Sequence, residues 1–162
     1  MAARNSAATT VEKPADRVLN LSRVFDAPRS LVFKVWTQPE HLVRWWGCPR
    51  TVSATCKIDP RKGGAFRVVM RLEDGTDHRV SGVYKDVTPP ERLVFTWAWE
   101  DADGNRGHET LVTVTFAEQG GKTKLTLRQE VFETAELCDL HREGWTASLE
   151  RMVAEIAAAR AA

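Results

Sequence analysis

The sequence predicts an α+β fold in which a curved antiparallel sheet wraps around one long C-terminal helix. Three observations lead there. From Thr51 to Phe132 the chain is a series of alternating apolar and polar runs joined by short turns, and turns that short connect only antiparallel neighbours, so the runs form a meander. Each run has one polar and one apolar side, as in a sheet wet on one face. The chain ends in an amphipathic run, Thr134 to Ala159, which as a helix is about 39 Å long and able to cross the whole sheet. Two short helical segments lie between the first strand and the meander.

The elements follow in order. Residues 1–15 are small and polar and read as a disordered tail, leaving one domain over 16–160. Arg17 to Phe25 alternates, with Leu19, Leu21 and Arg23 on one face and Val18, Asn20 and Ser22 on the other. Asp26-Ala27-Pro28 is a helix start signal, and Leu31, Val32, Val35 and Trp36 recur at helical spacing through Arg29–Thr37. Pro39 opens a second short helix, Glu40 to Trp46, closed by Gly47.

Thr51–Ile58 sets Val52, Ala54, Cys56 and Ile58 on one face. Asp59-Pro60 and Gly63-Gly64 turn the chain into Ala65–Leu72, where Phe66, Val68 and Met70 oppose Arg67, Val69 and Arg71. Asp74-Gly75 is a hairpin signal leading into His78–Val87, which Pro89-Pro90 stops. Leu93–Glu100 groups Leu93, Phe95, Trp97 and Trp99. After Asp103-Gly104-Asn105, the run His108–Ala117 puts Thr110, Val112, Val114 and Phe116 together. Gly120-Gly121 then turns into Lys122–Phe132, with Leu125 and Leu127 inward. Thr134 is a good N-cap with Glu136 in the first turn, and Leu137, Leu140, Trp145, Leu149, Met152, Val153 and Ile156 recur at helical spacing as the face toward the sheet. Arg71 and Arg79 read as outward strand charges that discourage edge pairing.

Composition narrows the function classes. The 23 basic and 22 acidic residues nearly cancel, which argues against nucleic acid or an anionic membrane as partner. Cys48, Cys56 and Cys138 are odd in number and far apart, with no CxxC, so neither a disulfide framework nor a metal site is expected and a reducing cytoplasm is the expected setting. The N-terminus lacks the apolar segment of a secretory signal, and no stretch approaches the ~18 apolar residues of a membrane helix, so no membrane insertion is expected.

Four motifs appear in one order: RVFDAPRSLVFKVWTQPEHLVRWWG (Arg23–Gly47), DPRKGGAFRVVM (Asp59–Met70), GVYKDVTPPERLVFTW (Gly82–Trp97) and EGW (Glu143–Trp145). Together they resemble the SRPBCC superfamily, in its branch of bacterial single-domain homologues of the activator of heat-shock-protein-90 ATPase. The resemblance spans about Arg17 to Ile156. It implies a START-like, pollen-allergen-like helix grip with an apolar cavity between sheet and helix. Members of the wider superfamily carry lipids or steroids, cyclise polyketides or act as co-chaperone domains, so the fold does not select one activity.

Residues and resemblance together suggest an aromatic-lined ligand cavity. Its expected walls are Trp36, Trp45 and Trp46 of the short helices, then Phe66, Val68, Met70 and Tyr84. Phe95, Trp97 and Trp99 follow, with Val112, Val114, Leu125 and Leu127. Leu137, His141, Trp145 and Leu149 close it from the last helix. The opposing expectation is that these rings simply fill a core. Gly144 beside Trp145 suggests close packing or a bend over the cavity. His141 is the best polar candidate for the cavity; His41 is expected at the surface, His78 and His108 near strand ends, and Glu109 or Glu130 is a candidate wall carboxylate. No catalytic, metal or phosphate-loop motif is present, so no cofactor is expected. The leading expectation is binding of a small apolar or lipid-like ligand without chemistry. A cavity enzyme of the polyketide cyclase or hydrolase type comes second, and a co-chaperone-like interaction domain third, since a chaperone partner is not expected for a chain with no room for the eukaryotic protein's extra domain. Edge strands of such a sheet also invite a homodimer.

Overall fold

The structure is a computed structural model that describes residues 17–162; the expected tail over 1–15 lies outside the described residues. The order is β1 (Leu19–Phe25), α1 (Arg29–Thr37), α2 (Pro39–Trp45), β2 (Thr51–Ile58), β3 (Ala65–Leu72), β4 (Asp77–Thr88), β5 (Arg92–Glu100), β6 (Thr110–Gln119), β7 (Lys122–Glu130) and α3 (Ala135–Ala161). One antiparallel sheet runs β1-β7-β6-β5-β4-β3-β2. β2 to β7 form the expected meander, and β1 joins at the far end by pairing with β7, Leu19 opposite Gln129. Two register shifts, at Thr51/Ser53 and at Tyr84/Asp86, bend the strands so that the sheet curls into a half-barrel. α3 lies in its concave face, giving a helix-grip fold.

Apolar alternation produces the inner surface. Phe66, Val68 and Met70 of β3, Leu93, Phe95 and Trp97 of β5, Val112, Val114 and Phe116 of β6, and Leu125 and Leu127 of β7 are all buried. The outer face carries ion pairs such as Arg67–Glu100, Arg71–Asp77 and Arg92–Asp86. Thr134 caps α3 as read from the sequence, its side-chain oxygen accepting from the Leu137 N–H. Arg23 faces α3 and pairs with Glu150 at 2.6 Å.

Several expectations are corrected. Val52 does not share a face with Ala54, because the bulge at Thr51/Ser53 turns it outward to 64% exposure while Thr51 is buried. On α3 the buried stripe is Cys138, Trp145, Ser148, Leu149, Met152, Glu155 and Ile156. Leu137, Leu140 and Val153 are exposed; Trp145, Leu149, Met152 and Ile156 keep the centre of the expected face, and Cys138, Ser148 and Glu155 join it. Arg71 and Arg79 point outward and both meet Asp77, but they lie on β3 and β4, which are interior strands, so they guard no edge. The β6 ladder begins at Thr110, leaving His108 in the preceding loop, and β7 ends at Glu130, where Val131 takes a left-handed φ of 72° and turns the chain toward α3.

Gly82 sets how closely β4 approaches β5. A Cβ there would sit 1.9 Å from the Thr96 carbonyl oxygen and 2.7 Å from the Phe66 ring. Neither neighbour has room to retreat, because Thr96 and Phe66 are themselves buried. Gly82→Ala is expected to lower stability by about 1–3 kcal/mol or more; urea denaturation followed by tryptophan emission checks this, and an unchanged midpoint would show that the strands can part.

Candidate functional site

The centre of the interior is built from indole rings delivered by α1, the end of α2, β5 and α3. α1 is too short to be stable alone and is held by its inner face, Val32, Val35 and Trp36. α2 ends at Trp45, whose N–H donates to the Val35 carbonyl at 3.0 Å and locks α2 to α1. Trp46 follows as the C-cap in extended conformation, φ −69° and ψ 122°. That break in the helix sends Trp46 away from Trp45 and into the hollow of the sheet. There it stacks on Trp97 at 5.4 Å and meets Trp145 edge-on at 5.5 Å. Trp145 also stacks on Trp36 at 5.9 Å and lies 5.2 Å from Trp97.

The space expected between sheet and helix is occupied by these side chains. What remains is a void of about 10 Å³, the room of a single water-sized sphere. Of the expected wall residues, Trp36, Trp46, Phe66, Tyr84 and Phe95 line it; Leu42 and Leu93 line it too and were not among them. Burial raises the pKa of the Tyr84 hydroxyl above its ordinary value, with smaller contributions from Cys56 and Asp59. Trp45, Val68, Met70, Val112, Val114, Leu125, Leu127 and Leu149 are buried core around it. Leu137 lies outside, 37% exposed.

A buried chain of hydrogen bonds crosses this apolar interior. The Trp145 N–H donates to Gln129 Oε1 at 2.7 Å. Gln129, fully buried, donates from Nε2 to Thr110 Oγ1 at 2.8 Å, and that hydroxyl donates to the Trp97 carbonyl at 3.3 Å. Glu109 and Glu130 are the sequence candidates for a wall carboxylate; Gln129 is the residue that turns inward, because it follows Leu125 and Leu127 at strand period two. Glu130 instead pairs with Arg128 outside, and Glu109 pairs with Arg106.

His141 sits at the margin between Trp97, Trp99 and Phe132. Its Nδ1–H donates to the Leu137 carbonyl at 2.8 Å, so its Nε2 accepts from the Trp99 N–H at 2.9 Å. Both ring nitrogens are thereby engaged in the neutral tautomer. Desolvation lowers its pKa, with the Leu137 carbonyl opposing. His41, expected at the surface, is half-buried and bonds Glu155 Oε2 at 2.7 Å, tying α2 to α3. His108 bonds the Val131 carbonyl, and His78 packs edge-on against Trp99.

Among the described residues no cluster of three His, Cys, Asp or Glu side chains is set to hold a metal ion. No helix of the described residues is long and apolar enough to cross a membrane. An open groove of about 620 Å³ on the outer face is lined by Lys57, Asp59, Arg67, Ser81, Val83 and Arg106, but Arg67 and Arg106 are already paired with Glu100 and Glu109.

With this geometry in hand, comparison with known proteins decides the family. The family model described as activator of Hsp90 ATPase homolog 1-like protein matches residues 26–157. The chain belongs to that family. The solved AHSA1 protein of Silicibacter pomeroyi is similar, at 32% identity and a TM-score of 0.77, over 86% of this chain and 97% of that one. A structure from Chromobacterium violaceum is 26% identical with a TM-score of 0.75, over 86% and 96% of the two chains. One from Arthrobacter aurescens shares the fold at 24% identity and a TM-score of 0.80, over 92% and 91%. The human activator of 90 kDa heat shock protein ATPase homolog 1 is 25% identical over 127 residues, 78% of this chain and 33% of that protein. The chain thus spans about a third of its human relative.

In this family member two substitutions probe the site. Gln129→Leu strands the Trp145 N–H and the Thr110 hydroxyl, and is expected to cost about 1–3 kcal/mol; thermal unfolding against wild type checks it. The second concerns His141. Its folded-state pKa lies below the value of about 6.5 it has when unfolded, so as pH falls the unfolded chain takes up the proton first. Stability is therefore fully present above pH ~6.5 and is lost as pH drops through the folded value. The lowered carboxyls of Asp77, bonded by Arg71, and Asp86, bonded by Thr88, act below their ordinary 3.8, in a separate window. His141→Gln is expected to flatten the stability profile between pH 7 and 5; a profile with unchanged slope would remove His141 as its cause.

Proposed function

We propose that this chain binds a small apolar, aromatic or lipid-like molecule between the sheet and α3, without chemistry. The observation that carries the reading is the position of Trp46. It fills the centre of the hollow from the C-cap of α2, where its backbone N–H still donates to the Leu42 carbonyl at 3.1 Å and only its φ and ψ are extended, so a turn of the indole about its own side-chain bonds leaves α2 intact. Around it stand Trp36, Trp97 and Trp145, flat rings that suit a planar guest. The remaining void borders the same residue. Displacement of one indole would enlarge that void by the volume of a single side chain, room for a small planar molecule of about one or two rings. An enzymatic reading has less support: His141 is committed at both nitrogens and meets no carboxylate, and the His41–Glu155 pair, which ties α2 to α3, does not line the void.

A second reading has one observation in its favour. Leu137 and Leu140, 37% and 56% exposed, form an apolar surface on the first turns of α3, and the human relative's name describes an activator of a chaperone ATPase. Under that reading the chain is an interaction domain.

A thermal-shift series against flavonoids, fatty acids, sterols and aromatic polyketide-like compounds separates the two. At a 100-fold excess over Kd a ligand stabilises by about 2.7 kcal/mol, a rise of about 5–11 °C for a chain of this size. The rise is expected to be saturable, to quench tryptophan emission, and to vanish in Trp97→Leu. No rise in any class, together with chaperone capture that Leu140→Asp abolishes, would replace ligand binding by the interaction reading.

A further inference from the structure

The six tryptophans treat their indole N–H groups in different ways. Trp45 donates to the Val35 carbonyl, Trp99 to His141 and Trp145 to Gln129. The fold thus pairs these donors even deep in its interior. Trp36 and Trp97 break the pattern. They are 2% and 5% exposed, their Nε1 atoms are buried, and neither has a hydrogen-bond partner. Buried donors are nearly always satisfied, and an exception needs a reason. Both rings adjoin Trp145, at 5.9 and 5.2 Å. Trp36 lines the residual void beside Trp46, and Trp97 stacks on Trp46 at 5.4 Å. One unpaired donor thus belongs to a ring that lines the void with Trp46, and the other to the ring stacked on Trp46.

We propose that the ligand of this interior is a neutral aromatic ketone or aldehyde whose carbonyl oxygen accepts the indole N–H of Trp36 and Trp97 once Trp46 turns aside. This rests on the ligand-binding reading above and names the chemistry that the site selects. A carbonyl oxygen has two lone pairs and takes two N–H donors. The void's wall residues, Trp36, Leu42, Trp46, Phe66, Tyr84, Leu93 and Phe95, include no charged side chain, so a carboxylate or an amine would enter without a counter-ion and be disfavoured. A hydrocarbon of the same shape would leave both donors unpaired, and such a site discriminates strongly against the analogue that lacks the polar atom.

The matched probes are 1-indanone and indane, which differ by the carbonyl oxygen. Each is titrated into the ¹⁵N-labelled wild-type chain, with the six indole N–H resonances assigned by single Trp→Phe variants. The expected result is binding of 1-indanone at least about tenfold tighter than indane, the effect of pairing an otherwise stranded donor. The Trp36 and Trp97 N–H protons move downfield with the ketone alone. In Trp36→Phe/Trp97→Phe the preference falls to near one; should that variant not fold, the wild-type N–H shifts still decide. Equal binding of both probes with unmoved N–H resonances overturns the inference and leaves the ligand-binding reading standing. Binding of neither overturns the inference, and the ligand-binding reading then stands or falls on the thermal-shift series. Strong water cross-peaks at the two N–H groups that persist in the presence of 1-indanone would also overturn it, since bound water would then be their partner.

Discussion

The hydrogen bond from Trp145 to Gln129 sets the position of α3 on the sheet. Apolar packing drives α3 into the hollow, but it is non-directional and tolerates sliding and rotation. The Trp145–Gln129–Thr110 chain does not, because each group has one partner within reach and leaving any of them unpaired in this dry interior is costly. It links α3, β7, β6 and the backbone of β5 in one line. Trp145 is in turn the ring against which Trp36, Trp46 and Trp97 pack. The arrangement of the whole aromatic centre follows from that one anchor.

A second set of contacts fastens α2 to α3 on both sides of Trp46. Gly47 and Ser148 bond reciprocally, the Gly47 N–H donating to Ser148 Oγ at 3.0 Å and the hydroxyl donating to the Gly47 carbonyl at 2.8 Å. A side chain at Gly47 would meet Arg151 and Thr51 within 2.8 Å, and its φ of 153° is one that other residues rarely take. Further up α2, His41 and Arg44 converge on the buried Glu155. The backbone around Trp46 is therefore held from two directions. The proposed ligand binding therefore calls on the indole side chain alone and leaves the pinned frame around it in place.

Membership of the activator-of-Hsp90-ATPase-homolog family and the helix-grip fold fix the frame in which these residues work, and the frame alone does not choose between a ligand carrier and an interaction domain. The choice turns on details at opposite ends of α3. Its middle presents Trp145 to an interior with two unpaired donors, whereas its first turns present Leu137 and Leu140 to solvent. The interior departs from the near-complete pairing usual in proteins, while exposed leucines are common on any surface. The interior is therefore the more informative of the two.

The order and type of every strand and helix, the meander, the N-cap of α3 and the inward alternation of β3, β5, β6 and β7 were legible in the sequence, because period-two and period-3.6 patterns and turn residues are local signals. So was the convergence of Trp97 and Trp145, since a helix covering a strand face must meet its rings. What the tertiary structure alone decided depends on contacts between distant segments. The bulge that expels Val52 is a matter of pairing with β3. The edges of the buried face of α3, where Leu137 is exposed and Glu155 is buried against His41, depend on segments far away in the chain. The pairing of Gln129 with Trp145 and Thr110, the engagement of both His141 nitrogens and the filling of the hollow by Trp46 are likewise outcomes of packing, in which shape and polar groups across the sheet outweigh the pattern of any one segment.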